Sequence, residues 1–413
     1  MPIVASVACD AETRYIIIPE LILSSHAFYN RRIFTMISTG MRRTLLWAAG
    51  VALFCILTMP QASVAQGESA VPFLLLAPNA RADAMGEAGG ALSDDAASAF
   101  WNPAGLAFLL GQEVSITHSN LLPQFQQSDL FYDYLAYRNH VADIGGTISA
   151  TLTYESLGEF VETDASGPTP ISTFRAYEFA ITGGYATKVL SDLGVGLNLR
   201  YIRSVLAPFN VQGQGRQGIA STISFDVAAL WKPAMFDNRL GVGVNLTNLG
   251  PKLTYIDEAQ ADPLPTNLRL SFAGQVLKSE YNNINVVLDF SRILVRRRPE
   301  IVDSATQLVV QEASVDKLPK ALFSAWGDGG LKKVDIGTGL EYWYGSPRLI
   351  AIRFGYFYED PRYGNRKFLT YGAGVRYDVY GFDFSYLSAV EENHPLDGTL
   401  RFSLLIAWGG TKE

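Results

Sequence analysis

From residue 112 onward the chain alternates apolar and polar positions with a period of two. In the stretch 193–204, Val195, Leu197, Leu199 and Tyr201 fall on one face, opposite Gly196, Asn198 and Arg200. Near 352, Ile352, Phe354, Tyr356 and Tyr358 oppose Arg353, Gly355 and Phe357; near 400, Leu400, Phe402, Leu404, Ile406 and Trp408 oppose Arg401, Ser403 and Ala407. One continuous apolar face at that period marks half-buried strands. Fourteen such segments are legible, near 112–119, 130–138, 143–156, 174–188, 193–204, 219–232, 239–247, 266–278, 282–294, 331–344, 347–358, 367–379, 381–389 and 398–408. The connections after odd strands are long: 120–129, 157–173, 205–218, 248–265, 295–330, 359–366 and 390–397. Those after even strands are short, down to Gly345-Ser346 and the single Tyr380. This rhythm predicts an all-β fold, a 14-stranded antiparallel transmembrane β-barrel with tight periplasmic turns and longer outer loops. A Greek-key sandwich gives no reason for it. Aromatic residues at expected strand ends, Tyr201, Trp231, Tyr358 and Trp408, suit the girdles of a membrane interface.

Ahead of the strands lies a different texture. Residues 94–106 read DDAASAFWNPAGL, small residues followed by a proline step that disfavours helix. Asp94 or Asp95 is placed to cap a short helix over 96–100, ended at Asn102-Pro103. About eight strands already bring barrel side chains to the limit of filling a lumen. A fourteen-stranded one needs another occupant, and residues 66–110, rich in small side chains, are expected to fold into it as a plug. Its candidate residues are Arg81, Met85, Gly86, Asp94, Asp95, Trp101, Asn102, Pro103 and Ala104. The expected inward face carries both charge signs: Arg200, Asp226, Arg269, Asp289, Glu341, Arg353, Arg376, Asp383 and Arg401. In a poorly solvated lumen such groups must pair with each other or with Arg81, Asp83, Asp94 and Asp95. Gly337-x-Gly339 and Gly372-x-Gly374 sit within strands, where they leave room for close backbone approach rather than cradle phosphate.

Composition narrows the class. Arg42 and Arg43, an apolar run from Leu45 to Met59 and Ser63-Val64-Ala65 read as a Sec-type signal peptide over 41–65, cleaved after Ala65; residues 1–40 read as an over-extended start. The barrel then occupies 111–413. Both cysteines, Cys9 and Cys55, fall in the removed part, so no disulfide or thiol chemistry is expected. The net charge of −7 becomes more negative without the leader, which argues against nucleic acid. His118, His140 and His394 lack ligand spacing, so no metal and no cofactor is expected; with no nucleophile elbow and no phosphate loop, no enzyme is expected either. In the longest connection, Leu322, Phe323 and Trp326 suit either contact with a partner or packing on the barrel rim.

The segment FLLLAPNARADAMGEAGGALSDDAASAFWNPAGLAF resembles the N-terminal signature of the PorV/PorQ family within the FadL-like outer-membrane barrels. GTGLEYWYGSPRLIAIRFGYFYED, RKFLTYGAGVRYDVYGFDFSYL and HPLDGTLRFSLL are similar to the same family. The resemblance implies a Gram-negative outer-membrane location and a part in type IX secretion. It implies as partners, besides outer-membrane lipid, the translocon, the C-terminal signal domains of cargo, and the sortase and attachment complex. On that reading the protein shuttles cargo from translocon to attachment complex. The alternatives are a FadL-like transporter of hydrophobic small molecules and a non-carrying structural member resembling PorQ.

Overall fold

The computed structural model describes residues 69–410, apart from 125–128, 164–166, 168, 211–216, 299–300, 303–308 and 312–313; the expected signal peptide lies outside them. Fourteen strands form one closed antiparallel barrel. They are β1 Gln112–Asn120, β2 Leu130–Val141, β3 Gly146–Thr163, β4 Pro170–Lys188, β5 Leu193–Asn210, β6 Gln217–Trp231 and β7 Leu240–Leu249, continuing as β8 Asn267–Lys278, β9 Asn282–Ile293, β10 Asp335–Tyr344, β11 Ile350–Tyr358, β12 Lys367–Tyr377, β13 Tyr380–Ala389 and β14 Leu400–Trp408. Each pairs with its sequence neighbours, and β1 closes the circle on β14 in the register Gln112 opposite Trp408. Closure leaves the wall no free edge along the paired strands. No helix among the described residues is long and apolar enough to cross a membrane.

The alternation is inverted relative to a soluble protein, as a membrane barrel requires. Leu197, Leu199 and Tyr201 point outward and are exposed, while Asn198 and Arg200 between them are buried. The same holds for Ile352 and Phe354 around Arg353, and for Phe402 and Leu404 around Ser403.

Several boundaries differ from the sequence expectation. Strands β3, β4 and β5 run further, so the expected loops 157–173 and 205–218 are largely strand. Pairing continues past a bulge between Ser156 and Glu159, and rings stack across the strands, Phe160 on Phe174 at 5.7 Å and Phe174 against Phe209 at 5.0 Å. Cross-strand aromatic pairs of this kind outweigh the polar composition that reads as loop. Tyr201 consequently sits inside β5 rather than at a strand end. The turn between β12 and β13 is Asp378-Val379, with Asp378 at φ +53°, because Tyr377 pairs with Tyr380. The turn between β10 and β11 covers 345–349. The longest connection is partly ordered as two short ladders, Arg297–Arg298 with Ser314–Val315 and Ile301–Val302 with Val309–Gln311, and a helix at Leu318–Ser324.

The segment before β1 contains two short helices, α1 (Ala80–Asp83) and α2 (Ser98–Trp101), and 3-10 turns at Pro72–Leu75 and Pro103–Phe108. The helix Leu318–Ser324 is α3. The segment crosses the barrel from end to end. Ala70 donates its N–H to Pro263 O (2.9 Å) in the connection after β7, at the long-loop end. Phe108 lies against Lys188 and Lys232, at the short-turn end.

Candidate functional site

The site is the contact between this segment and the lumen wall. Small residues let its backbone lie close to the strands: Ala80, Ala82, Ala84, Ala88, Ala91, Ala96 and Ala104 are all buried. The wall answers with inward glycines. A Cβ added at Gly339 would stand 2.5 Å from Met85 Cβ, and one at Gly196 would stand 2.5 Å from Ala104 N. Gly337, Gly355 and Gly372 back onto the stretch 84–86 in the same way. Gly86 itself turns at φ +68° and donates its N–H to Thr370 Oγ1 (2.9 Å).

Charge fixes the segment at three places. Around α1, Arg81 donates to both oxygens of Glu341 (2.8 and 2.9 Å), which also accepts from Arg353 (2.9 Å) and Asn285 (3.0 Å). Arg353 continues to Asp383 (2.8 Å), and Asp383 to Arg376 (2.7 Å). The other side of Arg81 meets Asp94, and Asp95 at 3.2 Å. Two residues on, Asp83 pairs with Arg401 and accepts from Ser385 (2.6 Å). At the next turn, Asp289 accepts the N–H groups of Gly89 (3.2 Å) and Gly90 (3.1 Å) and pairs with Arg269 (3.2 Å). Arg269 also lies over the Trp101 ring, 4.8 Å from its centroid. Arg200 and Asp226 pair with each other at 2.8 Å within the wall. Glu341, Asp83, Asp289 and Asp226 are almost fully buried. Partnering is what permits this, since an ionised carboxylate without a partner is strongly disfavoured there.

The Asn102-Pro103 step ends α2. Asn102 is extended, its Oδ1 accepts from Ala104 N (3.1 Å), and Pro103 opens the following 3-10 turn, a position where its missing N–H does no harm. Asn102 Nδ2 reaches Ala229 O (3.1 Å), and Trp101 Nε1 reaches Asn79 Oδ1 (2.8 Å). The expected cap is absent: α2 begins later, with Ala97 at its N-cap and no side-chain cap, because Asp94 and Asp95 are drawn to Arg81. In the longest connection Phe323 is 80% exposed, Trp326 stacks on Arg292 (4.6 Å) and Leu322 is half-buried. Among the described residues no group of carboxylates, cysteines and histidines could hold a metal ion.

The sequence reading did not assign several further wall groups to the contact with the segment. Asn198 and Asn245 donate to Ala99 O (2.8 Å) and Trp101 O (3.0 Å), and Ala80 N donates to Ser403 (3.0 Å). Glu113, paired with Arg138 at 2.9 Å, accepts Ala96 N (3.0 Å). The wall side chains among them all lie on the inward register, so the period of two that located the charges is the signal that would have found these.

A family model described as type IX secretion system protein PorV matches residues 61–300, more than half of the chain. The chain belongs to the PorV family. It is an outer-membrane β-barrel of the PorV kind, associated with type IX secretion. No curated protein matches it. Among solved structures it is similar to the toluene transporter TodX of Pseudomonas putida, with TM-score 0.48 and 12% identity over 80% of this chain and 98% of that one. It is also similar to the toluene transporter TbuX of Ralstonia pickettii, with TM-score 0.46 and 13% identity over 80% and 97%. A FadL homologue of Pseudomonas aeruginosa gives TM-score 0.45 and 13% identity over 80% and 98%.

Proposed function

We propose that this barrel is a non-enzymatic cargo carrier of type IX secretion. It holds a secreted protein by its C-terminal signal domain on the long-loop end and carries it from the translocon to the sortase and attachment complex, while residues 66–110 plug the pore. The observation that carries the reading is the charge-paired segment in the lumen. Threading a protein would require Arg81, Asp83 and their partners to separate, and breaking one such buried pair costs about 3–5 kcal/mol. Binding on the long loops avoids that cost, and the exposed Phe323 offers an apolar contact there. The export leader at 41–65 belongs to the same proposal.

A second reading, transport of hydrophobic small molecules, draws support from an apolar cavity of about 410 Å³ near the long-loop end, lined by Leu264, Leu294, Val295 and Leu318. The polar, charge-paired lumen below supports it less. The test is to lock the segment. Ala80 N and Ser403 Oγ lie 3.0 Å apart, so the two positions are neighbours; cysteines there are bridged once their Cα atoms are checked to lie within about 7 Å. Oxidised Ala80→Cys/Ser403→Cys protein is expected to co-purify with cargo and translocon as well as the reduced form. Loss of cargo on oxidation, restored by reductant, would mean that the segment must move. Equal yields of translocon with no cargo in either state would point to a structural role.

A further inference from the structure

At the short-turn end the lumen opens into a cavity of about 690 Å³, the size of a small-ligand site. Its wall is cationic in a chain whose net charge is −7. Lys188, Lys232, Arg239, Lys278 and Arg348 all line it, brought from the ends of β4, β6, β8 and the turns before β7 and β11. The carboxylates in the same wall are Asp94, Asp237 and Glu280. Asp94 is engaged by Arg81 and by Arg348 (3.5 Å), and Asp237 lies 4.0 Å from Arg239. No ion pair with a carboxylate joins Lys188 or Lys278 among the described residues. Most telling is Phe108, where the segment leaves the lumen. The ammonium groups of Lys188 and Lys232 lie 5.0 and 4.9 Å from the centroid of this one ring. A phenyl ring attracts a cation but carries no net charge, so Lys188, which has no carboxylate partner among the described residues, keeps its demand for negative charge.

We infer that this cavity is a binding site for a phosphate-type anion at the periplasmic mouth. The nearest charges without a carboxylate partner among the described residues, Lys188 and Lys278, both line the cavity. Ammonium groups are suited to phosphate as point charges, and Arg348 on the inner wall adds a planar fork. Arg348 also joins the site to the lumen, because Asp94 bridges it to Arg81 and so to Glu341. An anion that draws Arg348 outward thus competes with the outermost pair of the network. The anion arrives either as a free phosphate or as the head group of an inner-leaflet phospholipid, and both present the same chemistry.

The test uses the full folded barrel in detergent. Inorganic pyrophosphate is titrated by calorimetry, and dioleoylphosphatidylglycerol retention is read by native mass spectrometry against dioleoylphosphatidylcholine. Lys188→Gln/Lys278→Gln is compared with Lys317→Gln/Lys320→Gln at the other end, and all variants are checked for heat-modifiable migration on gels. At least a tenfold loss of affinity in the first variant alone, with binding weakened by salt, is expected. Saturable pyrophosphate binding identifies free phosphate as sufficient; selective retention of the phosphatidylglycerol without pyrophosphate binding identifies the head group. Binding of neither probe at millimolar concentration, or equal binding by the Lys188→Gln/Lys278→Gln variant, would overturn the site.

Discussion

Glu341 is the node on which the lumen network turns. Its two oxygens serve Arg81 of the segment, and Arg353 and Asn285 of the wall. Buried ion pairs add little net stability over a well-packed apolar core, but removing one partner leaves charge stranded. Glu341→Ala is therefore expected to destabilise the barrel by about 3–5 kcal/mol, measured as a lowered urea midpoint of the detergent-folded protein. A midpoint within error of the parent would mean that water or movement relieves Arg81 and Arg353. On the outer loops a single carboxylate acts at smaller scale. Lys320 above all, with Ser324 and Arg298, holds Asp316 down from 3.8 to about 2 by hydrogen bonding. A depressed carboxylate stabilises where it is ionised and its unfolded counterpart would be too, and this contribution is lost as pH falls from about 4 towards 2. Hydrogen exchange of α3, corrected for intrinsic rates, is expected to accelerate over that interval. In Asp316→Asn it should already be fast at pH 6 and show no step.

Segment and wall fit by subtraction of side chains. The segment is built of alanine and glycine, and the strands facing it place glycine where its backbone comes nearest, as at Gly339 under Met85. Glycine in a strand interior is otherwise a weakness. Gly339→Val is expected to push the segment from the wall and raise single-channel conductance in planar bilayers. Gly183→Val provides the contrast, since nothing stands within 4 Å of its added Cβ, and conductance should stay at the parent level. Equal conductance in both variants would show that the segment does not seal the pore. The helix α2 follows the same logic: it forgoes a side-chain cap because Asp94 and Asp95 serve Arg81, while on the wall Glu113 accepts Ala96 N just ahead of it and Asn198 and Asn245 donate to its carbonyls at the other end. Tertiary contacts here supersede the local capping preference.

For the molecule as a whole, the path of the segment sets the topology. It enters beside Pro263 among the long loops and leaves beside Phe108 among the short turns, so Ser69 and Leu110 lie at opposite ends of one barrel. With long loops outside, Ser69→Cys is expected to react with a membrane-impermeant maleimide added to intact cells, whereas Leu110→Cys should react only after the outer membrane is permeabilised. Labelling of both from outside, or of Leu110→Cys alone, would reverse or refute that orientation. On that orientation the outer face of the protein is built from the long loops together with the stretch around Ser69.

The sequence by itself determined the strands. A period of two depends only on whether each side chain meets lipid or lumen, and that record is written residue by residue in Leu197-Asn198-Leu199-Arg200 and its counterparts. It also supplied the charges of the lumen, since polar groups at inward positions of a wide barrel have nowhere else to go. What it did not contain was their pairing. Arg81 meets Glu341, and Asp83 meets Arg401, across hundreds of residues, and only closure of β1 on β14 brings such partners together. Nor did local composition reveal that β3, β4 and β5 run on past the expected loops, because rings contributed by separate strands stabilise that extension. The basic mouth is the same case: Lys188, Lys232 and Lys278 are unremarkable in isolation along the chain, and they converge only because the curvature of the barrel turns three separate strand ends towards one opening.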